Sequence, residues 1–369
     1  MPSEKPPSEK SPSGTRRRAL LRSPLLWPLL ALAGLLLYNL LVTPAFFALR
    51  VQDGHLFGSV VDVLRNGAPT ALIALAMTLV IATRGIDLSV GASVAISGAV
   101  ACTWIAGSPD PTSPGTAVVA VLLAVGLCLV LGTFNGFLVA GLGIQPIIAT
   151  LVLMTAGRGL AQLITDGQIV TVSNPFFSGI GGGFLLGLPI PVLVTAAAFA
   201  VVALVTRRTA LGLLVESVGV NPTASRLAGI RARGIVWSVY VLAAVCAGVA
   251  GLMISSTVNA ADANNAGLWI ELDAILAVVI GGTLLTGGRY SITGTLVGAL
   301  VLQTLTTTVY TTGIRPEVTL VFKALVIIAV CLLQSPKLRG SSTRRRRGSP
   351  PPAAPPTPLV TEPTPASAR

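Results

Sequence analysis

The chain has 369 residues, of which 53% are hydrophobic and only 10% are charged. Soluble globular domains carry roughly 25% charged residues, so this composition excludes a protein whose whole surface faces water. The apolar residues occur in blocks about 20 residues long, the length that a helix needs to cross a bilayer core of about 30 Å. The composition therefore predicts an all-α integral membrane protein embedded in a lipid bilayer.

The net charge of +12 raises the question of nucleic-acid binding. The basic residues, however, lie in the tails and in short loops between apolar blocks, with few aromatic residues among them. Nucleic-acid binders concentrate basic residues on one face of a domain. The charge pattern therefore indicates membrane topology and no nucleic-acid partner.

Motifs for catalysis or cofactor binding are missing from the sequence. The four cysteines lie singly inside apolar stretches, in no spacing typical of metal ligands. A phosphate-binding Walker A loop needs a lysine that follows a glycine. The only lysines are Lys5, Lys10, Lys323 and Lys337, and none of them follows a glycine. We therefore expect no catalytic residues, no metal and no cofactor in this chain.

The chain divides into two tails and a long apolar middle. Residues 1–23 and 336–369 are rich in proline, serine and basic residues, and we expect both to be disordered because they bury little apolar surface. Residues 24–335 form the predicted transmembrane domain. About ten spans are predicted, at 24–42, 66–83, 88–106, 117–140, 145–165, 189–206, 234–256, 272–287, 290–312 and 317–335. The third, eighth and ninth contain Gly, Ser and Thr, so broken or re-entrant helices are expected there.

The arginines of the loops predict the orientation of the spans. With the amino terminus inside, one face of the membrane receives most of these arginines and the basic carboxyl tail. The opposite face receives only Arg50, Arg65 and Arg315 among the basic residues. Because short positively charged loops stay in the cytoplasm, both tails are predicted to be cytoplasmic, which requires an even number of spans.

The segment 83–98, TRGIDLSVGASVAISG, joins the second and third predicted spans. A carboxylate such as Asp87 is costly to bury between apolar spans. Asp87 followed by Ser89 also resembles the start of a helix. Two interpretations stay open: Asp87 only caps the third span, or Asp87 and Ser89 contribute to gating or packing along a polar pathway.

The fifth predicted span carries a polar stripe. Gln145 and Pro146 form a helix start, since proline suits the first turn. Thr155, Arg158 and Gln162 then recur at spacings of three and four, which places them on one face of the helix. This face is predicted to contact the bundle interior, because a lipid-facing arginine costs several kcal/mol. The alternative is that Arg158 snorkels to the membrane interface.

The loop 207–234 is too charged for lipid but contains several leucines and valines. We expect short helices outside the membrane, one of which begins with Asn221 as its cap and Pro222 in its first position and ends at Gly229. A short helix with an apolar face and flanking arginines fits the groove of a soluble partner. The alternative is a solvated loop that lies on the lipid headgroups.

The segment 271–308 combines acidic, glycine and hydroxyl residues. Glu271 and Asp273 are predicted at the outer entrance of the eighth span. Gln303 and Thr304 offer uncharged hydrogen-bonding groups near the middle of the membrane, which a neutral polyol requires. Threonine also joins neighbouring membrane helices, so a purely structural role remains open for Thr304.

From about residue 66 to 334 the sequence resembles the permeases of ribose-type ABC sugar importers. The family motif GGIDLSVG stands here as TRGIDLSVG, and the cytoplasmic family segment stands as VGVNPTASRLAGI. The segments 142–170 and 271–308 most resemble the members that transport galactofuranose. Two residues depart from the pattern, because Arg84 and Val220 replace family glycines. Both departures lie on the predicted cytoplasmic face and are expected to affect coupling more than substrate choice.

The resemblance implies a permease domain at 24–335 that translocates a monosaccharide similar to galactofuranose or ribose. It implies a separate ATP-binding cassette subunit that binds the ATP, an extracytoplasmic sugar-binding protein and a second permease chain. The family's docking segment matches 216–229, with Glu216, Gly219, Asn221, Arg226 and Gly229 as the candidate coupling residues. The rival hypothesis is a stand-alone secondary transporter or channel for a small polar solute. Such proteins often use intramembrane carboxylates, and none is expected in the middle of a well-defined span.

Overall fold

The computed structural model describes residues 25–52, 54–313, 318, 320–325 and 328. Both predicted tails lie outside the described residues, as does most of the tenth predicted span, 317–335. Twelve α-helices are defined within the described part of the chain. Strand structure there is limited to three short two-stranded pairings. The described part of the chain is therefore an all-α protein, as the composition predicts.

The helices follow the predicted apolar blocks. They are α1 (Leu26–Val42), α2 (Ser59–Ala82), α3 (Val90–Ala106), α4 (Pro114–Gly136), α5 (Pro146–Ile164), α6 (Pro175–Gly182), α7 (Ile190–Arg208), α8 (Leu211–Val220), α9 (Pro222–Leu227), α10 (Ala232–Val258), α11 (Ile270–Ile280) and α12 (Ile292–Thr311). A 3₁₀ turn at Pro44–Phe47 follows α1, and a π-helical turn at Phe137–Gly141 extends α4. Among the described residues, six helices are long and apolar enough to cross a membrane, namely α2, α4 with its extension, α5, α7, α10 and α12.

The short strands join connections between the helices. β1 (Arg50–Gln52) pairs with β2 (His55–Phe57), β3 (Val170–Thr171) with β6 (Ala260–Ala261), and β4 (Phe184–Leu185) with β5 (Leu188–Pro189). All three pairings are antiparallel, and the β3–β6 pairing sets Val170 opposite Ala261. The β3–β6 pairing therefore holds the start of the segment after α10 beside the connection that follows α5.

The core of the bundle lies along α2, α3 and α10. Helix α10 packs against α2, α3 and α4, and α2 also packs against α11 and α12. Small residues allow this close approach, since Gly98 lies against Ser255 and the Ser97 hydroxyl donates to the Gly248 carbonyl at 2.9 Å. Lipid gives no hydrophobic drive for helices to associate, so close packing and hydrogen bonds of this kind hold membrane helices together.

The ends of the bundle differ in charge. The connections between α7, α8, α9 and α10 lie at one end of the bundle. This end, hereafter the arginine-rich end, carries Arg84, Arg207, Arg226 and Arg233. Helices α5 and α10 both run away from the arginine-rich end, and β3 and β6 follow them directly. The β3–β6 pairing therefore lies at the opposite end of the bundle. This separation agrees with the asymmetry predicted from the sequence.

The structure corrects the expected positions of the helix breaks. Helices α3 and α12 are uninterrupted, so their glycines serve packing and not a break. The eighth predicted span is helical only over the eleven residues of α11, about 16 Å at 1.5 Å per residue. Residues 262–269, hereafter the turn segment, precede α11 as irregular backbone. The short helices expected within 207–234 are present as α8 and α9.

Candidate functional site

Asp87 and Ser89 lie together at the start of α3. Asp87 is only 1% exposed, and its Oδ1 accepts hydrogen bonds from the Ser89 amide at 2.9 Å and the Ser89 hydroxyl at 2.6 Å. The Asn135 amide on α4 donates to the Ser89 hydroxyl oxygen at 2.8 Å. Ser89 holds the cap position of α3, and Asp87 bonds Ser89 and not the amides of the first turn. The three residues, hereafter the α3 cluster, join α4 to the connection between α2 and α3.

The α3 cluster has unusual electrostatics. Burial raises the pKa of Asp87 from 3.8 to about 6, although the two hydrogen bonds from Ser89 act in the opposite direction. Burial disfavours the charged form of a carboxyl, which explains the direction of this shift. Within the described residues, no hydrogen-bond partner reaches the Tyr240 hydroxyl or Asn135 Oδ1. The α3 cluster is therefore a buried group of polar side chains in which Asn135 Oδ1 is an unused hydrogen-bond acceptor.

An open cavity of about 320 Å³ lies beside the α3 cluster at the arginine-rich end. Thr83 and Tyr240 line it on one side, and Arg226 and Arg233 line it on another. Gly143 and Pro146, which flank Gln145, also line the cavity. Gln145 itself is exposed at the start of α5 and makes no side-chain cap bond. The cavity is therefore lined both by the connection between α2 and α3, at Thr83, and by α9, at Arg226.

The polar stripe of α5 contacts the turn segment. Arg158 is half-buried, and its guanidinium donates to the carbonyls of Ala263 at 3.2 Å and Ala266 at 2.5 Å. The Gln162 side-chain amide donates to Asn264 Oδ1 at 2.7 Å. In the structure Arg158 thus faces protein, as the sequence interpretation favoured, and does not snorkel.

Thr155, the third residue of the predicted stripe, does not reach the turn segment. It is exposed, and its hydroxyl donates to the carbonyls of Leu151 and Val152 within α5. A threonine that bonds its own helix needs no partner across the bundle. The structure therefore brings Arg158 and Gln162 together on the turn segment. Thr155 stays on the exposed face of α5, hereafter the open face of α5.

The turn segment is organised by Asp262. Asp262 Oδ1 accepts from the amides of Asn264 and Asn265, and Oδ2 accepts from the Asn265 side chain at 2.7 Å. The hydrogen bond from the Asn265 side chain lowers the pKa of Asp262, with a smaller contribution from Arg158. Asn264 and Asn265 are both exposed. The turn segment thus presents amide side chains on a backbone that is not helical.

Glu271 and Asp273 do not lie at the outer entrance, where the sequence interpretation put them. Glu271 is 6% exposed and packs against Gly91 in the first turn of α3, close to the α3 cluster. Asp273 forms an ion pair with Lys323 at 2.8 Å. Helix α11 begins inside the bundle because the turn segment first descends from the β3–β6 pairing. The first turn of α11 therefore buries Glu271 and leaves Asp273 partly exposed.

Four of the five candidate coupling residues lie at the surface around α9. Asn221 caps the helix, because its Oδ1 accepts from the amides of Thr223 and Ala224 at 3.1 and 3.0 Å. Gly229 follows with a φ of 84°, so the predicted start and stop of this helix are confirmed. Arg226 is exposed, and Glu216 is half-buried on α8. Leu227 is 86% exposed, which leaves an apolar side chain at the tip of this surface.

Gly219, the fifth candidate, is buried. A side chain at Gly219 would meet the Ala82 carbonyl and the Gly288 amide, which hydrogen-bond each other at 2.8 Å. Next to this junction the Arg84 guanidinium donates to the Val220 carbonyl at 2.5 Å. The two residues that depart from the family pattern are thus in direct contact, and both join α8 to the end of α2.

A family model described as branched-chain amino acid transport system / permease component matches residues 59–331. The galactofuranose transporter permease protein of Escherichia coli is 49% identical over 317 residues, which cover 84% of this chain and 91% of that protein. The fructose import permease protein of Bifidobacterium longum is 37% identical over 331 residues, covering 88% and 91% of the two chains.

The ribose import permease protein of Bacillus subtilis is 37% identical over 281 residues, covering 76% of this chain and 85% of that protein. This chain belongs to the ribose-type ABC sugar permeases. It is accordingly a permease subunit of a sugar importer and a multi-pass inner-membrane protein. No solved structure matches the permease.

Gln303 and Thr304 form a separate group in the permease. They lie on α12, which packs against α1, α2 and α11. The Gln303 side chain packs against Gly67 of α2, and Thr304 is buried. On the same helix, Thr308 accepts a hydrogen bond of 2.7 Å from Asn39 of α1. This pattern is typical of polar groups that join membrane helices, the alternative role considered for Thr304.

Several residues of the permease site escaped the sequence interpretation. Asn135 could have been found from the sequence, because it is a lone amide in an otherwise apolar span. Asn264 follows an aspartate in a polar run, DANN, between two spans, but nothing local to that run indicates its contact with Gln162. The ion pair between Asp273 and Lys323 joins residues 50 positions apart and has no local signature.

Proposed function

We propose that this permease imports a monosaccharide of the galactofuranose or ribose type across the inner membrane. The printed names of its relatives support this class of substrate, since they are transporters of galactofuranose, fructose and ribose. The chain binds no cofactor of its own in this proposal. A separate ATP-binding cassette subunit hydrolyses ATP, and an extracytoplasmic sugar-binding protein delivers the sugar.

The arginine-rich end faces the cytoplasm, both tails lie on that side, and ten spans cross the membrane. Short cytoplasmic loops of membrane proteins are enriched in arginine and lysine, which supports this orientation. Nine of the ten predicted spans contain a helix among α1 to α5, α7 and α10 to α12. The tenth predicted span contains Lys323, whose pairing with Asp273 sets it against α11.

The ATP-binding cassette subunit docks on α9. The capped helix, the exposed Arg226 and the exposed Leu227 together form a small apolar tip with a positive charge beside it. Helices of this kind bind in hydrophobic grooves of soluble partners. Gly219 acts differently from the other candidate residues, because it holds α8 against the end of α2 and does not touch the partner.

In this proposal the sugar pathway runs along the open face of α5 and the turn segment, and the irregular backbone of the turn segment is the observation that supports it. The turn segment is irregular backbone with exposed asparagines, and it descends from the β3–β6 pairing to the first turn of α3. Irregular backbone at membrane depth cannot face lipid, because its polar groups would lack hydrogen-bond partners. A water-filled pathway, closed on its far side by a second permease chain, satisfies these groups.

Reconstitution tests this function. The permease, its ATP-binding subunit and its sugar-binding protein in liposomes should take up labelled sugar only with ATP. Charge reversal in Arg226→Glu should abolish the coupling of ATP hydrolysis to uptake, because the docking helix would then repel its site. Arg208→Glu, an equal charge change at the exposed last residue of α7 and outside the candidate coupling residues, is the matched control. Sugar flux driven by an ion gradient without the ATPase would instead support a stand-alone transporter.

A further inference from the structure

The side chains of Gln162 and Asn264 form an exposed amide pair at the face of the proposed pathway. One N–H of Gln162 donates to the carbonyl oxygen of Asn264 at 2.7 Å. This bond leaves the Gln162 carbonyl oxygen, the second N–H of Gln162 and both N–H groups of Asn264 without a described side-chain bond. The pair therefore offers one carbonyl oxygen as acceptor and three N–H donors to a ligand.

The backbone beneath Asn264 is held in place from two sides. Asp262 accepts the amides of Asn264 and Asn265 and shapes the turn. Arg158 donates to the carbonyls on either side of these asparagines and ties the turn to α5. A site whose groups are held before binding loses less conformational entropy when a ligand arrives. Asn264 is consequently positioned and not merely exposed.

The charges near the amide pair are already used within the protein. The Arg158 guanidinium bonds backbone carbonyls, and the Asp262 carboxylate bonds the amides of its own turn. The groups left for a ligand are neutral amides, which can both donate to and accept from hydroxyl groups. Such a surface suits a neutral, hydroxyl-rich molecule better than an anion or a cation.

The position of the pair along the membrane also fits a ligand in transit. Gln162 lies two residues before the end of α5, about 3 Å from it, on the side of the β3–β6 pairing. Under the proposed orientation this is the face that receives the sugar. A ligand leaving the binding protein would therefore meet the amide pair early in its passage.

We propose that Gln162 and Asn264 form a sugar subsite that hydrogen-bonds the hydroxyl groups of a neutral monosaccharide as it enters the membrane. The subsite rests on the proposed function, and Arg158 and Asp262 act in it as positioning residues. The subsite binds weakly, because a released sugar must move on. Its contribution lies in the rate at which sugar leaves the binding protein.

The test compares Asn264→Ala and Gln162→Ala with Gln168→Ala in liposomes that contain the complete transporter. Gln168 is the matched control, since it is an exposed amide in the connection that follows α5 and lies outside the turn segment. Labelled D-galactose, D-fructose and D-ribose are the probes. Asn264→Ala and Gln162→Ala should each lower the maximal uptake rate about fivefold, the factor for one lost hydrogen bond of about 1 kcal/mol. Gln168→Ala should retain the wild-type rate.

A second measurement does not depend on transport. Asn264→Cys should react with a membrane-impermeant thiol reagent, and the sugar-loaded binding protein should slow this reaction. Wild-type protein gives the background of the native cysteines. Failure of the wild type to take up any of the three sugars with ATP would refute the proposed function and the subsite with it. Normal wild-type uptake, with Asn264→Ala and Gln162→Ala as fast as Gln168→Ala, would refute the subsite alone.

Discussion

Replacement of Asp87 by asparagine should make the stability of the permease less dependent on pH. Asp87 lies in the connection between α2 and α3, where burial raises its pKa from 3.8 to about 6. An asparagine Oδ1 accepts the same two hydrogen bonds from Ser89 without carrying a charge. The variant therefore removes one buried titration and keeps the local hydrogen bonds.

The sign of the effect follows from proton binding. Between pH 3.8 and about 6 the unfolded chain releases the proton of Asp87 and the folded chain retains it, so the folded state of the wild type loses stability as pH rises. At about 1.4 kcal/mol per pKa unit the full loss is about 3 kcal/mol. Asp87 is 1% exposed, so solvent screening removes little of this value. Above pH 6 the variant should be more stable than the wild type by up to about this amount.

Thermal unfolding of the detergent-solubilised protein between pH 4 and pH 8 is the assay. The unfolding temperatures of wild type and Asp87→Asn should be close at pH 4 and should separate by several degrees at pH 7. Asp110→Asn removes an exposed carboxyl and should reproduce the wild-type curve. Parallel curves for wild type and Asp87→Asn across this range would show that burial of Asp87 does not control its protonation.

Two further pairs of substitutions test the packing of the bundle. Gly219→Val should destabilise the permease by about 1–3 kcal/mol, because the new side chain would meet two backbone groups that cannot move aside. Gly234→Ala is the control, because its new side chain meets nothing within 4 Å and should not lower the unfolding temperature. An equal loss in both glycine variants would contradict the proposed junction at Gly219. Asp273→Asn and Lys323→Met should each destabilise more than the two changes combined, because either single change leaves one partly buried charge unpaired. Additive losses in that double-mutant cycle would argue against the ion pair.

Local features of the permease were predictable from neighbouring residues. The helix start at Asn221 and Pro222 and the stop at Gly229 follow from the chemistry of the residues themselves, and the structure has both. The stripe of Arg158 and Gln162 follows from helical spacing, which places both on one face of α5. The ends of the spans were predicted less accurately, since α2 begins seven residues before the predicted span.

Long-range contacts were not predictable in this way. The sequence interpretation placed helix breaks in three spans because glycine and serine interrupt all of them, but only the eighth is broken. In α3 the same small residues allow close packing against α10, as at Gly98 and Ser255. A glycine permits both outcomes, and the neighbouring helix decides between them.

The sequence by itself determined that the chain is a membrane-embedded helical protein with one arginine-rich end, because apolar length and charge act locally along the chain. The permease family followed from the resemblance of its motifs. Only the tertiary structure decided which polar residues meet. Arg158 finds its partners more than 100 residues away, on the turn segment. Gln303 and Thr304, which were predicted for the same pathway, lie on α12, where the Gln303 side chain packs against Gly67 of α2. Spacing sets the face of a helix on which a residue lies, but packing sets what that face contacts.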